Sequence, residues 1–165
     1  MSQARGIVWI HSASAALCPH IEWAMSAALD TVIRLDWTRQ PAEPGTSRAE
    51  YAWTGVPGTG AKIASALRGC VRVRFEVTQD ASATSEGARW SYTPRLGVHT
   101  AVIGVHGDVL VTEHRLAAAV TADVLGLRPL ADAVDDLLGR PWDAELEPFR
   151  YAGEGAPVRW LHHAV

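Results

Sequence analysis

The loop GVPGTGAK, Gly55 to Lys62, comes nearest to a recognisable chemistry. Glycines between a strand and a helix present backbone N–H groups at a positive helix end, which is how proteins hold a phosphate or pyrophosphate. Gly58, Gly60 and Lys62 are therefore the candidate anion-binding residues. They support a reading as an enzyme or ligand-binding protein for a phosphorylated or CoA-bearing metabolite. The spacing departs from the nucleotide-hydrolase loop, because Ala61 separates the last glycine from Lys62 and no Ser or Thr follows the lysine. The loop also lacks the Gln or Arg that opens the acyl-CoA loop of many acetyltransferases. An ordinary strand-to-helix turn has the same composition.

A second candidate lies in Arg140 to Trp160, RPWDAELEPFRYAGEGAPVRW, which crowds two tryptophans, Phe149, Tyr151, three arginines and four acidic residues among three prolines. No clean helical or strand period runs through it, so the expectation is an irregular segment fixed by aromatic packing and Arg–carboxylate pairing. Such a segment is either a docked clasp or a recognition surface. Trp37, Arg39, Trp142, Arg150 and Tyr151 form the candidate binding surface, since aromatic and Arg anchors dominate most contacts. This favours a non-catalytic binding or regulatory module holding a protein partner or a small acidic ligand.

Cys18 precedes Pro19 at a helix start, where the dipole favours a thiolate, with His20 and His11 close in sequence. No C-x-x-C accompanies it, and a small capping residue explains it equally. His11, Cys18 and His20, with His162 and His163, match no zinc spacing. Ser12 with His11 and Asp36, or His114 with Asp108 and Glu113, can be written as acid–base sets, but seven histidines yield such sets by chance and no frame such as G-x-S-x-G holds them. No catalytic residue, metal or cofactor is assigned.

With 165 residues, 48% hydrophobic and 20% charged, the chain suits one domain with an ordinary core. A net charge of −3 argues against nucleic-acid binding by phosphate neutralisation. Fourteen of the fifteen basic residues are Arg, which suits bidentate contacts to carboxylate or phosphate and equally reflects an Ala-, Gly- and Arg-rich composition. The N-terminal apolar run is too short for a secretory signal or a membrane span, and two cysteines make no disulfide framework, so a cytoplasmic protein is expected.

The elements follow from periodicity. Residues 6–11, GIVWIH, read as a central strand, and Cys18 to about Leu29 as a helix with Pro at its start. Thr31 to Thr38 alternates, with Ile33, Leu35 and Trp37 inward, and pairs in a hairpin with RAEYAWT, which turns Ala49, Tyr51 and Trp53 inward. AKIASALRG gives a short helix, and VRVRFEVT a strand with Val71, Val73, Phe75 and Val77 inward and Arg72, Arg74 and Glu76 outward. This β-α-β-β-α-β order predicts an α+β fold whose first half, residues 1–80, is ferredoxin-like, with two helices on one face of four antiparallel strands. Residues 86–165 add a hairpin turning at His106, Gly107 and Asp108, two helices closed by Gly126 and Gly139, and an ordered aromatic tail packed on the first half. The outward charges of the sheet are either tied up by that second half or left as a ligand, partner or homodimer surface.

The segments HSASAALCPHIEWA, LDWTRQPAEPGT, KIASALRG and RPWDAELEPFRYAGEGAPVRWLHHAV resemble an actinobacterial family of uncharacterised proteins of about this length, a domain of unknown function. The resemblance spans nearly the whole chain. It implies a role beside fatty-acid synthesis, in acyl carrier or acyl-CoA chemistry, and brings no catalytic residues with it.

Overall fold

The computed structural model describes residues 3–152. It is a mixed α+β fold with a seven-stranded antiparallel sheet and five helices. Strand β1 (Ala4–Ser14) leads to helix α1 (Cys18–Leu29), strands β2 (Thr38–Arg39) and β3 (Thr46–Gly55), helix α2 (Thr59–Arg68) and strand β4 (Arg74–Gln79). Strands β5 (Gly87–Thr93), β6 (Gly97–Ile103) and β7 (Val109–Leu110) follow, then helices α3 (Glu113–Val124), α4 (Leu130–Leu138) and α5 (Arg140–Tyr151). The sheet order is β2-β3-β1-β4-β5-β6-β7.

Alternation along the strands divides the sheet into two unlike faces. On one, Val8, Ile10, Trp53, Phe75 and Val77 pack against Ile21 and Met25 of α1 and Ile63 and Leu67 of α2. Burying each such side chain stabilises the fold by roughly 1.5–3 kcal/mol. Gly60 lets α2 lie close: a methyl there would come within 2.8 Å of the Trp90 ring and 3.2 Å of the Trp53 ring. The register Trp9↔Glu76↔Ser91↔His99 puts a polar row on the other face, and α5 crosses it.

Four expectations are corrected. Residues 31–37 are not a strand, although Ile33 and Leu35 are buried and Trp37 is half-buried. Their backbone donors bond to α1 instead of β3: Ile33 N–H to Ser26 Oγ at 2.8 Å and Leu35 N–H to Glu22 Oε1 at 2.9 Å. The strand expected from Val71 begins at Arg74, because Arg72 takes a φ of +70° and the turn leaves Val71 exposed. Strand β5 was not expected; its most buried side chains, Arg89, Ser91 and Thr93, are polar, while Trp90 and Tyr92 pack on the core face. The first twelve residues of the Arg140–Trp160 stretch are a helix and not an irregular clasp, with Leu146 and Arg150 buried one turn apart and Pro148 inside. The remainder of that stretch, with His162 and His163, lies outside the described residues.

Candidate binding site

Helix α5 is fixed to the polar sheet face by charge. Glu76 of β4 is 1% exposed and would be costly to bury alone. The guanidinium of Arg150 meets it twice, through Nε to Oε2 at 2.9 Å and through Nη2 to Oε1. His11 Nε2 lies 2.7 Å from Oε2, and Ser91 Oγ donates to Oε1 at 3.4 Å. Although burial opposes ionisation, His11 and Arg150 hold the Glu76 carboxyl well below the usual carboxylate range. Arg150, 5% exposed, also donates to Asp143 at 2.8 Å, and its pKa is raised above the ordinary arginine value by the two carboxylates despite its burial.

A second cluster extends the first. Arg74 spans Glu43, at 3.0 Å, and Ser12 Oγ, at 3.1 Å, and sits over the Phe149 ring at 4.4 Å. Fully buried Gln40 donates to the carbonyls of His11 at 2.7 Å and Phe149 at 3.2 Å, tying its loop to both sheet and helix. At the other end of α5, the Trp142 indole donates to the Gly97 carbonyl at 3.0 Å and its ring lies 4.8 Å from that of His99. Burial lowers the His99 pKa, against the pull of the Leu137 and Asp136 carbonyls, and the positive charges of Arg89 and Arg115 lower it further.

The same sheet face opens into a cleft of about 490 Å³ beyond this cluster. It is lined by Arg5, Ile7 and Trp9 of β1, Thr78 and Asp80, Arg89 of β5, and Ile103 with the β6–β7 turn. The register explains the grouping, because Arg89 lies opposite Thr78 on one side and Ala101 on the other. Arg5 and Asp80 pair at 3.0 Å on the rim. Trp9 is 4% exposed, and its indole N–H has no acceptor among the described residues. A cleft of this size lined by two arginines, one aspartate, a tryptophan and two isoleucines suits a small ligand with an acidic head and an apolar body. Nothing in the sequence marked Trp9, Thr78 or Arg89; only strand pairing brings them together.

The candidate residues read from the sequence are spread across the fold. Trp37 lies beside α1, its indole donating to Glu22 Oε1 at 3.1 Å, whereas Trp142 sits on β6 toward the opposite sheet edge. Arg150 is buried between Glu76 and Asp143; Arg39 and Tyr151 are exposed. Trp142 and Arg150 share α5 and the polar face, and Trp37 does not join them.

In the GVPGTGAK loop, Gly58 takes a φ of +91° as the α2 cap and Lys62 is exposed. Three of its N–H groups are engaged internally: Thr59 to Val56 O at 3.1 Å, Gly60 to Gln79 Oε1 at 3.3 Å and Lys62 to Gly58 O at 3.2 Å. A hollow of about 330 Å³ lies beside the loop, which reaches it through Pro57. Cys18 is half-buried with its Sγ 3.5 Å from the Ser14 carbonyl, and burial raises its pKa, the reverse of a thiolate nucleophile. His11 faces Glu76 on the other side of the sheet from the core against which Cys18 packs, and no group of three metal-ligating side chains occurs among the described residues. No helix among them is long and apolar enough to cross a membrane.

Residues 7–163 match the family described as "Protein of unknown function (DUF3145)", and the chain belongs to it. No curated protein matches the chain, and no solved structure does.

Proposed function

We propose that this DUF3145 protein is a non-catalytic, cytoplasmic binding module that holds a small acidic ligand with an apolar body in the cleft between β1, β4, β5 and β6. The carrying observation is the indole N–H of Trp9, buried without an acceptor among the described residues, on a side chain that lines a cleft together with Arg89 and Arg5. A buried donor left unmade costs about 1–3 kcal/mol, which a ligand carboxylate or phosphate would recover on binding.

Two further observations favour binding over catalysis. Glu76, the most deeply buried carboxylate described, is locked as an anion by Arg150 and His11 and is poorly placed to exchange protons. The Cys18 thiol is likewise biased against ionisation. The four strands β2-β3-β1-β4, antiparallel with α1 and α2 on one side, support the ferredoxin-like reading of the first half; β5 to β7 widen the sheet and supply the far wall of the cleft.

The acyl chemistry implied by the resemblance makes fatty acids and CoA esters the first ligands to test, beside inorganic phosphate and nucleotides. Any ligand that binds only the folded state raises the melting temperature. The proposal expects a rise with an acidic, partly apolar member of the panel, reduced in Trp9→Phe. A panel with no stabilising member, or one whose effect is unchanged in Trp9→Phe, overturns it.

A further inference from the structure

Helices α3 and α4 form an arm that lacks a core of its own. Of the twelve residues of α3 only Ala119 is buried, and α4 buries none. Isolated helices this short are marginal in water, so such a pair gains stability mainly by covering its apolar side. That side faces solvent: Leu116 is 41% exposed, Val120 48% and Val124 78%, with Leu125 and Leu127 continuing the patch past the helix end.

The spacing of the patch suits a second copy of the chain. Leu116, Val120 and Val124 recur at intervals of four and form one ridge along α3. The ridge is balanced about Val120. A two-fold axis there lays Leu116 of one copy on Val124 of the second and the reverse, which is the self-complementarity a symmetric dimer contact needs. Ala117 flanks the ridge and leaves room for the two backbones to approach. The charges agree with the antiparallel sense. It brings Glu113, in the first turn of α3, toward Arg128 of the second copy, just beyond the helix end, and does so twice. Arg128 already contacts Asp136 within its own chain, but a guanidinium carries five N–H donors and can serve both carboxylates.

We propose that the protein self-associates as a two-fold dimer through α3, with α4 of each copy completing a four-helix cluster. The inference is independent of the cleft, because the exposed ridge stands on α3 and the cleft on the sheet.

Sedimentation equilibrium of the full chain across a concentration series tests it. A reversible dimer is expected, weakened at least about tenfold by Val120→Asp, since a charge buried at the axis has no partner. Val120 is exposed in the monomer, so circular dichroism of the variant should match the parent. In a Cys18→Ser, Cys70→Ser background, Val120→Cys should oxidise to a disulfide-linked dimer, and Val32→Cys, more exposed but on another surface, should not. A chain that stays monomeric at every concentration, a dimer indifferent to Val120→Asp, or equal cross-linking at positions 120 and 32 overturns the proposal.

Discussion

Arg150 of helix α5 holds both carboxylate oxygens of Glu76 on strand β4, 74 residues earlier, in a pair almost wholly removed from water. Removing one member of such a pair strands the other, which costs about 3–5 kcal/mol, whereas replacing both with apolar residues of similar size is often neutral. Arg150→Met and Glu76→Leu should each lower stability by that order in urea unfolding. The double variant should be less destabilised than either single variant. A double variant that shows the sum of the two losses would mean that the residues do not act as a pair.

His99 gives stability a pH dependence near neutrality. Its folded pKa lies below the ordinary value of about 6.5, so the unfolded chain binds this proton more readily than the folded one. The contribution is complete above that value and is lost as pH falls through it toward the lower folded pKa. Urea midpoints should drop between pH 7.5 and 5.5, and His99→Phe, which keeps a ring against Trp142, should flatten the drop. Glu76 has the usual carboxylate sense: its contribution is present above about pH 4.3 and is lost only in stronger acid, as pH falls toward its depressed folded pKa.

Two tryptophans on the polar face should respond differently to the same substitution. Trp142→Phe removes an indole donor bonded to the Gly97 carbonyl, adding a lost hydrogen bond to the lost packing, for a total of about 2–3 kcal/mol. Trp9→Phe removes a donor that has no acceptor among the described residues, so relief of that burden offsets the packing loss and the net change stays within about 1 kcal/mol. Thermal unfolding of the two variants side by side measures the difference. Equal losses would show that the Trp9 donor is satisfied.

Gly60→Ala separates the structural from the anion-binding reading of the GVPGTGAK loop. The new methyl would press the Trp90 and Trp53 rings, costing about 1–3 kcal/mol as an overpacked site does. Binding of inorganic phosphate or a CoA ester, measured by calorimetry where the variant is folded, should be unchanged. Loss of binding with stability intact would return the anion to this loop.

The sequence was most legible where burial and polarity agree. The continuous apolar run GIVWIH, and alternation at Ala49 and Trp53 and at Phe75 and Val77, marked the sheet, and Cys18–Leu29 read as a helix with its boundaries. It misled where buried positions carry charge. Strand β5 hides Arg89, Ser91 and Thr93 behind a core face that carries Trp90 and Tyr92, and α5 sets buried Arg150 beside buried Leu146, so in each a regular buried face includes polar residues. The opposite error occurred at residues 31–37, where inward Ile33 and Leu35 look like a strand but the backbone bonds to Ser26 and Glu22. The cleft was illegible for a different reason: Trp9, Thr78 and Arg89 come from three strands, and only their register makes them neighbours.

The central claim, that the cleft beside Trp9 is where a ligand sits, is tested most directly by nuclear magnetic resonance on nitrogen-15-labelled protein. The Trp9 indole signal is identified by its loss in Trp9→Phe, and the protein is titrated with fatty acids, CoA esters and inorganic phosphate. A saturable shift of that signal together with the amides of Thr78, Arg89 and Ile103, with Gly58 and Lys62 unmoved, is the expected result. Saturable binding that shifts the Gly58–Lys62 amides and leaves the Trp9 indole where it was would contradict it.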